Sequence, residues 1–284
     1  DTEILINYFE KYKEQSLENF KGMFSFVIYD FENKKCILAR DRFGMKPLYY
    51  YNDKNFLIAC SEIKPILKFL NKTKFNENAF SDFFIKGHMD HGENTFFNDI
   101  KSLPPATYKI VSQNSDKEKY YWNLGDVKKD KSLGIKKTKI KLKGLFNNAI
   151  QEHLESDVEI GSCLSGGNDS SSISSKSNSL LNYKMKTFTY EFKDQVSNIN
   201  SETFLAAKFA KNNKMKNFTA IVNPKYVLDK FDELLINVES PITSLRLFGI
   251  KKLYEEVKKQ NIKVMLEGHG GDEMLAGYDY NYMP

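Results

Sequence analysis

The apolar rhythm of this 284-residue sequence changes once, and that change limits what the chain can build. Met23 to Phe31, Lys35 to Ala39, Leu48 to Tyr51 and Phe56 to Cys60 are short runs rich in β-formers, separated by Glu32-Asn33-Lys34, Gly44 and Asn52-Asp53. Strands this short and closely spaced predict an antiparallel meander. A short amphipathic helix, with Ile4, Leu5, Tyr8 and Phe9 on one face, precedes them. Past Lys139 the rhythm differs. Val158 to Leu164, Thr187 to Phe192, Phe218 to Val222 and Val264 to Leu266 read as strands. Leu142 to Leu154, Glu202 to Lys211, Tyr226 to Val238 and Leu245 to Lys259 read as helices between them. Such alternation predicts a parallel α/β sheet. The two halves are expected at residues 1–125 and 140–284, joined by a weakly patterned Lys/Asp-rich linker over 126–139.

Composition narrows the class. The chain is 41% hydrophobic, 14% aromatic and 28% charged, as soluble globular chains are. No apolar run approaches the ~20 residues that cross a bilayer. Asp1-Thr2-Glu3 has neither the basic start nor the apolar core of a secretory signal. A net charge of +5, from 42 basic and 37 acidic residues, is spread as lysine pairs rather than one dense stripe. That argues for a solvated surface and against nucleic-acid binding. Cys36, Cys60 and Cys163 form no disulfide framework and no CxxC pair, so reduced thiols and a cytoplasmic location are expected.

Chemistry concentrates in two strings. Leu164-Ser165-Gly166-Gly167-Asn168-Asp169-Ser170-Ser171 follows a strand and opens a helix. Its glycines let backbone N–H groups approach an anion at a helix N-terminus, and Ser165, Ser170 and Ser171 add hydroxyl donors. Asp169 would repel a bare phosphate, and a bridging Mg²⁺ removes that conflict. The plainer alternative is a Ser/Gly turn with Asp169 as a helix cap. The second string, Leu266-Glu267-Gly268-His269-Gly270-Gly271-Asp272-Glu273 with Gly277-Tyr278, again ends a strand in a glycine-rich loop carrying a carboxylate. Ligands of open α/β sheets bind at the carboxyl ends of strands, so Asp169 and Asp272 could face one Mg²⁺–pyrophosphate from two sides.

The first string resembles the SGGxDSS loop of the ATP pyrophosphatases, which cleave ATP between the α- and β-phosphates. The second resembles the G-x-G-x-DE-x-x-x-GY motif of glutamine-dependent asparagine synthetases. Ser156-Asp157-Val158 with Gly161 resembles their SDVPxG lead-in. Gly22 to Phe26 with Asp30, Ala39 to Tyr49, Ser61 to Lys64, Leu103 to Ala106 and Tyr121-Trp122 resemble successive segments of class II glutaminase domains. The resemblance implies an α+β N-terminal part belonging to an αββα glutaminase sandwich, followed by an ATP-pyrophosphatase domain. It implies ATP and Mg²⁺ as cofactors, and amidation of aspartate through β-aspartyl-AMP with glutamine-derived ammonia. It further implies nucleotide contacts at Leu164, Ser165, Gly166, Gly167, Asp169, Ser170, Ser171, Tyr190, Glu267 and Gly268. Asp169 and Asp272 would hold the metal, His269 and Arg246 would act in catalysis, and Asp1 would hold the α-amine of glutamine.

The family's glutaminase uses an N-terminal cysteine, and the first cysteine here is Cys36. The expectation is therefore an internal piece of a longer protein. Asn168 stands where an aliphatic residue is usual, and His269 where Glu or Gln is usual. The latter leaves room for a paralogue with another acceptor, of the β-lactam synthetase or lasso-peptide cyclase type. A tRNA-modifying pyrophosphatase would need a basic patch the sequence lacks, and a catalytically dead binding module is the non-enzymatic alternative. The expected partners are small molecules: aspartate, glutamine and ATP. A homodimer is compatible with this reading; nucleic acid and membrane are not.

Overall fold

A computed structural model describes residues 2–89, 92–113, 115–130, 132–193 and 202–278. The chain divides into two compact units, Asp1–Asp130 and Lys131–Pro284. No helix among the described residues is long and apolar enough to cross a membrane.

In the first unit, α1 (Thr2–Tyr12) and a 3₁₀ turn lead into β1 (Ser25–Asp30) and β2 (Lys35–Arg40), an antiparallel hairpin. The next hairpin, β3 (Tyr49–Asn52) with β4 (Leu57–Cys60), belongs to a different sheet. After α2 (Ile63–Leu70) and α3 (Glu77–Lys86), the two-residue β5 (Lys101–Ser102) adds to the other edge of β3. Strands β6 (Thr107–Ser112) and β7 (Asp116–Tyr120) return to the first sheet. The orders are β1-β2-β6-β7 and β4-β3-β5. The expected single meander is thus corrected to two sheets, and β2 takes its second partner from β6, far along the chain. Leu38 and Val111 of one sheet and Tyr50 of the other share one buried cluster with Leu48 and Leu103, so the sheets face each other. Phe9 of α1 lies edge-on to Phe26 at 6.1 Å, behind the first sheet. Ile63 and Ile66 of α2 pack behind the second with Tyr49 and Ile58.

The crossing between sheets is built on Asp41. This carboxylate is 2% exposed and accepts backbone N–H groups from Phe24 (3.3 Å), Phe43 (3.1 Å), Met45 (3.0 Å) and Lys46 (2.9 Å). The Arg40 guanidinium closes the same turn, donating to the carbonyls of Gly44 (2.7 Å), Lys46 (2.9 Å) and Leu103 (2.7 Å). Asp41→Asn keeps the shape but replaces one acceptor oxygen by a donor facing N–H groups. Each orphaned buried donor costs about 1–3 kcal/mol, so a loss of about 3 kcal/mol in urea unfolding is expected.

The second unit opens with α4 (Ile135–His153), so residues 135–139 of the expected linker are helical. Gly134 at its N-cap offers no side-chain cap, and its lysine-rich first turns are exposed, which is why no local signal marked this start. Then follow β8 (Ile160–Cys163), α5 (Asn168–Leu180), β9 (Lys186–Phe192), α6 (Glu202–Asn212), β10 (Lys216–Val222), α7 (Pro224–Val238), α8 (Arg246–Lys259), β11 (Val264–Leu266) and α9 (Gly271–Leu275). The sheet is parallel, in the order β10-β9-β8-β11. Ile160, Leu164 and Met185 bury against Ala206 and Ala210 of α6 on one face. Phe188 and Ala220 bury against Leu253 and Val257 of α8 on the other. The chain runs outward from β8 through β9 to β10, then returns to place β11 on the opposite side of β8. The switch point therefore lies between β8 and β11, where open α/β sheets form their ligand crevice.

Candidate active site

Both glycine-rich strings leave the carboxyl ends of these two adjacent strands. Ser162 in β8 ties the crevice together: its hydroxyl meets Ser174 of α5 at 2.9 Å and donates to the Leu266 carbonyl of β11 at 3.3 Å. Leu164 is buried, its N–H donates to Phe188 O at 2.9 Å, and its carbonyl accepts from Thr189 Oγ1 at 2.7 Å. One lone pair of that carbonyl is what Leu164 has left to offer a ligand.

The loop proper is held by its own serines. The Ser165 and Ser170 hydroxyls lie 2.9 Å apart, Ser165 N–H donates to Ser170 Oγ at 3.2 Å, and Gly167 N–H donates to Ser165 Oγ at 3.3 Å. Gly166 has φ +85°, and a Cβ there would lie 2.8 Å from Leu205 Cβ and 3.0 Å from the Ala206 nitrogen. Only glycine takes both that conformation and that closeness to α6. Gly167 supplies no side-chain cap to α5, so the helix presents its first N–H groups uncapped. Ser171 Oγ is buried with no hydrogen-bond partner among the described residues. An uncapped helix N-terminus beside an orphaned hydroxyl fits a phosphate group.

The second loop sits on the first turn of α5. A Cβ on Gly271 would fall 2.7 Å from the Asp169 carboxyl carbon, and one on Gly268 would fall 3.2 Å from the Ser170 nitrogen. Asp169 is thereby held against the residue that precedes Asp272. Asp272 lies in the first turn of α9 with its carboxylate against Gly277. Among the described residues no group of three or more His, Cys, Asp or Glu could hold a metal. A Mg²⁺ held by two carboxylates and substrate phosphates needs no such group.

Glu267 is the hub that sequence reasoning treated only as a nucleotide contact. Its Oε2 lies 2.8 Å from His269 Nδ1. Its Oε1 accepts from the Tyr254 hydroxyl of α8 and from the Cys163 thiol of β8, the latter at 3.6 Å. Burial and the Glu267 charge together push both the Cys163 thiol and the Tyr254 phenol well above their usual ranges, which keeps them protonated donors. Neither partner was anticipated. Helical spacing on α8, eight residues from Arg246 to Tyr254, was the available signal.

Tyr190, near the end of β9, packs its ring on Gly249 of α8, where a Cβ would lie 2.9 Å from the ring's Cγ. Burial raises its pKa, and the Arg246 charge opposes the rise. Gly249→Ala should displace the ring and cost about 1–3 kcal/mol in urea unfolding, as overpacking does. Asp1 lies outside the described residues.

Against known proteins, the family model described as "Glutamine amidotransferase domain" matches residues 1–122, and the one described as "Asparagine synthase" matches residues 141–284. The chain is 30% identical to "Asparagine synthetase [glutamine-hydrolyzing] 2" of Bacillus subtilis, covering 100% of this chain and 40% of that protein. It is 26% identical to "Asparagine synthetase [glutamine-hydrolyzing] 1" of the same organism (98% and 43%), and 27% identical to the Homo sapiens "Asparagine synthetase [glutamine-hydrolyzing]" (99% and 50%). The chain spans half or less of the length of each of these relatives.

Proposed function

Because the chain belongs to the asparagine synthase family, we propose that it contributes the nucleotide site of an ATP-dependent ligase that converts aspartate to asparagine with glutamine-derived ammonia. One observation carries this reading: two glycine-rich loops from adjacent parallel strands meet at the switch point, with Asp169 against Gly271 and an uncapped α5 beside them. Residues 1–125 are read as the C-terminal part of a class II glutaminase domain and 140–284 as the N-terminal part of the synthetase domain, which α4 extends back to Ile135.

In this reading the α5 N-terminus and the Ser171 hydroxyl receive the β- and γ-phosphates of ATP. Gly166 and Gly167 let the backbone approach them. Leu164, Tyr190 and the Glu267-Gly268 backbone border the nucleoside. Asp169 and Asp272 would hold Mg²⁺, which when bound neutralises phosphate charge. The side-chain carboxylate of aspartate attacks the α-phosphorus, and the bond to the β-phosphate oxygen breaks, releasing pyrophosphate. Ammonia then attacks the acyl carbon of β-aspartyl-AMP, loses a proton, and AMP leaves. Arg246 supplies donors and positive charge to the phosphoryl group in the first step, and His269 acts there through Nε2 as an acid–base group. Asp1 would bind the glutamine α-amine.

The test is ATP–pyrophosphate exchange by the complete gene product. Aspartate should switch on incorporation of labelled pyrophosphate into ATP. Exchange that aspartate fails to stimulate, but another carboxylic acid does, would overturn the choice of substrate. No exchange with any carboxylate would overturn the ligase reading.

A further inference from the structure

His269 is 86% exposed at its side chain, which by itself describes a ring free to sample every rotamer. Among the described residues its ring makes a close polar contact at Nδ1, to Glu267 Oε2 at 2.8 Å. An isolated surface pair of this kind orders little. This pair differs because its carboxylate is anchored from behind. The side chain of Glu267 is 30% exposed, and its other oxygen is held by Tyr254 from α8 and Cys163 from β8. A strand of the sheet and a helix packed on it thus immobilise the acceptor to which the imidazole must turn. Nε2 lies on the far side of a ring that is largely exposed.

We propose that Glu267 is a positioning residue. It fixes the orientation and the proton arrangement of His269, so that Nε2 faces away from the carboxylate and is the nitrogen left for chemistry. Nδ1–H donates to the carboxylate, as carboxylates that orient functional imidazoles accept from them. Tyr254 and Cys163 act one step further back, by holding Glu267. The catalytic consequence rests on the ligase reading above; the orientation of the ring does not.

Two measurements separate those claims. The first is imidazole ¹⁵N NMR of the full chain, at a pH where the ring is neutral. The wild-type His269 proton should reside on Nδ1, and Glu267→Ala should abolish that preference. A wild-type ring protonated on Nε2 would overturn the proposal whatever the substrate is. The second is exchange kinetics in the complete gene product. Glu267→Gln has a single acceptor oxygen and cannot serve the imidazole and the Tyr254–Cys163 pair together. Its aspartate-dependent exchange rate should fall ~10-fold, the lower end for loss of such an outer partner, with KM for ATP unchanged. Tyr254→Phe should fall less, since the thiol still holds Oε1.

The double variant Glu267→Ala/His269→Ala should be no slower than His269→Ala alone, because the carboxylate acts only through the ring. Losses that multiply, or an ATP affinity that falls as far as the exchange rate, would make Glu267 a nucleotide contact or a structural tie and overturn the proposal. If wild-type exchange is absent, the ligase reading falls and the NMR measurement still decides the clamp.

Discussion

Asp169→Asn should abolish aspartate-dependent ATP–pyrophosphate exchange, a loss of at least ~10³-fold, while the protein stays folded. Asparagine has the shape of aspartate, so the close packing of Gly268 and Gly271 on the first turn of α5 survives the change. What disappears is the negative charge in a loop otherwise built to attract anions. In the proposed reaction that charge holds the cation that offsets the departing pyrophosphate. The cost to folding should be small. A carboxylate in the first turn of a helix is worth about 0.3–1 kcal/mol through the helix dipole, so the urea midpoint should move little. Near-normal exchange by this variant would sink the reading in which Asp169 and Asp272 share a metal.

His269→Ala should lower the same exchange by ~10²-fold, the scale of one lost acid–base group or preorganised donor. Mg·ATP affinity, measured by isothermal titration, should stay within about a factor of two, because in the proposed reading the Ser165–Ser171 loop and the α5 N-terminus hold the phosphates. The ring's position favours this split. It stands on the loop between Gly268 and Gly270, anchored at Nδ1. A collapse of ATP affinity with undiminished exchange per bound ATP would make His269 a loop-shaping residue.

How far the sequence spoke depends on the distance over which each feature is encoded. The β9 and β10 strands and the helices α6, α7 and α8 were legible to within a few residues, because apolar period and capping signals are local; Asn223 accepting from Tyr226 N–H at 2.8 Å ahead of Pro224 is one such signal. The two loops were legible for the same reason: glycine at Gly166 answers a left-handed φ, and the serines at fixed offsets bond one another. The helix α2 carries an apolar stripe at Ile63, Ile66, Leu67 and Leu70 that packs in one cluster, whereas α3 buries no residue and its phenylalanines mark no single face. The separation into two sheets was not legible, because Asp41 acts through four amides from Phe24 to Lys46 that become neighbours only after the chain turns.

By itself, then, the sequence determined the element types of the second half, the local form of its two glycine-rich loops and the family. Each of these depends on contacts within a few residues. Tertiary structure alone decided that β2 pairs with β6, that β11 lies beside β8, and that Tyr254 reaches Glu267 across thirteen positions. These contacts join residues with no shared local pattern. They are selected by burial on both faces of a sheet and by the need of each buried polar atom for a partner, quantities that exist only once the layers have closed.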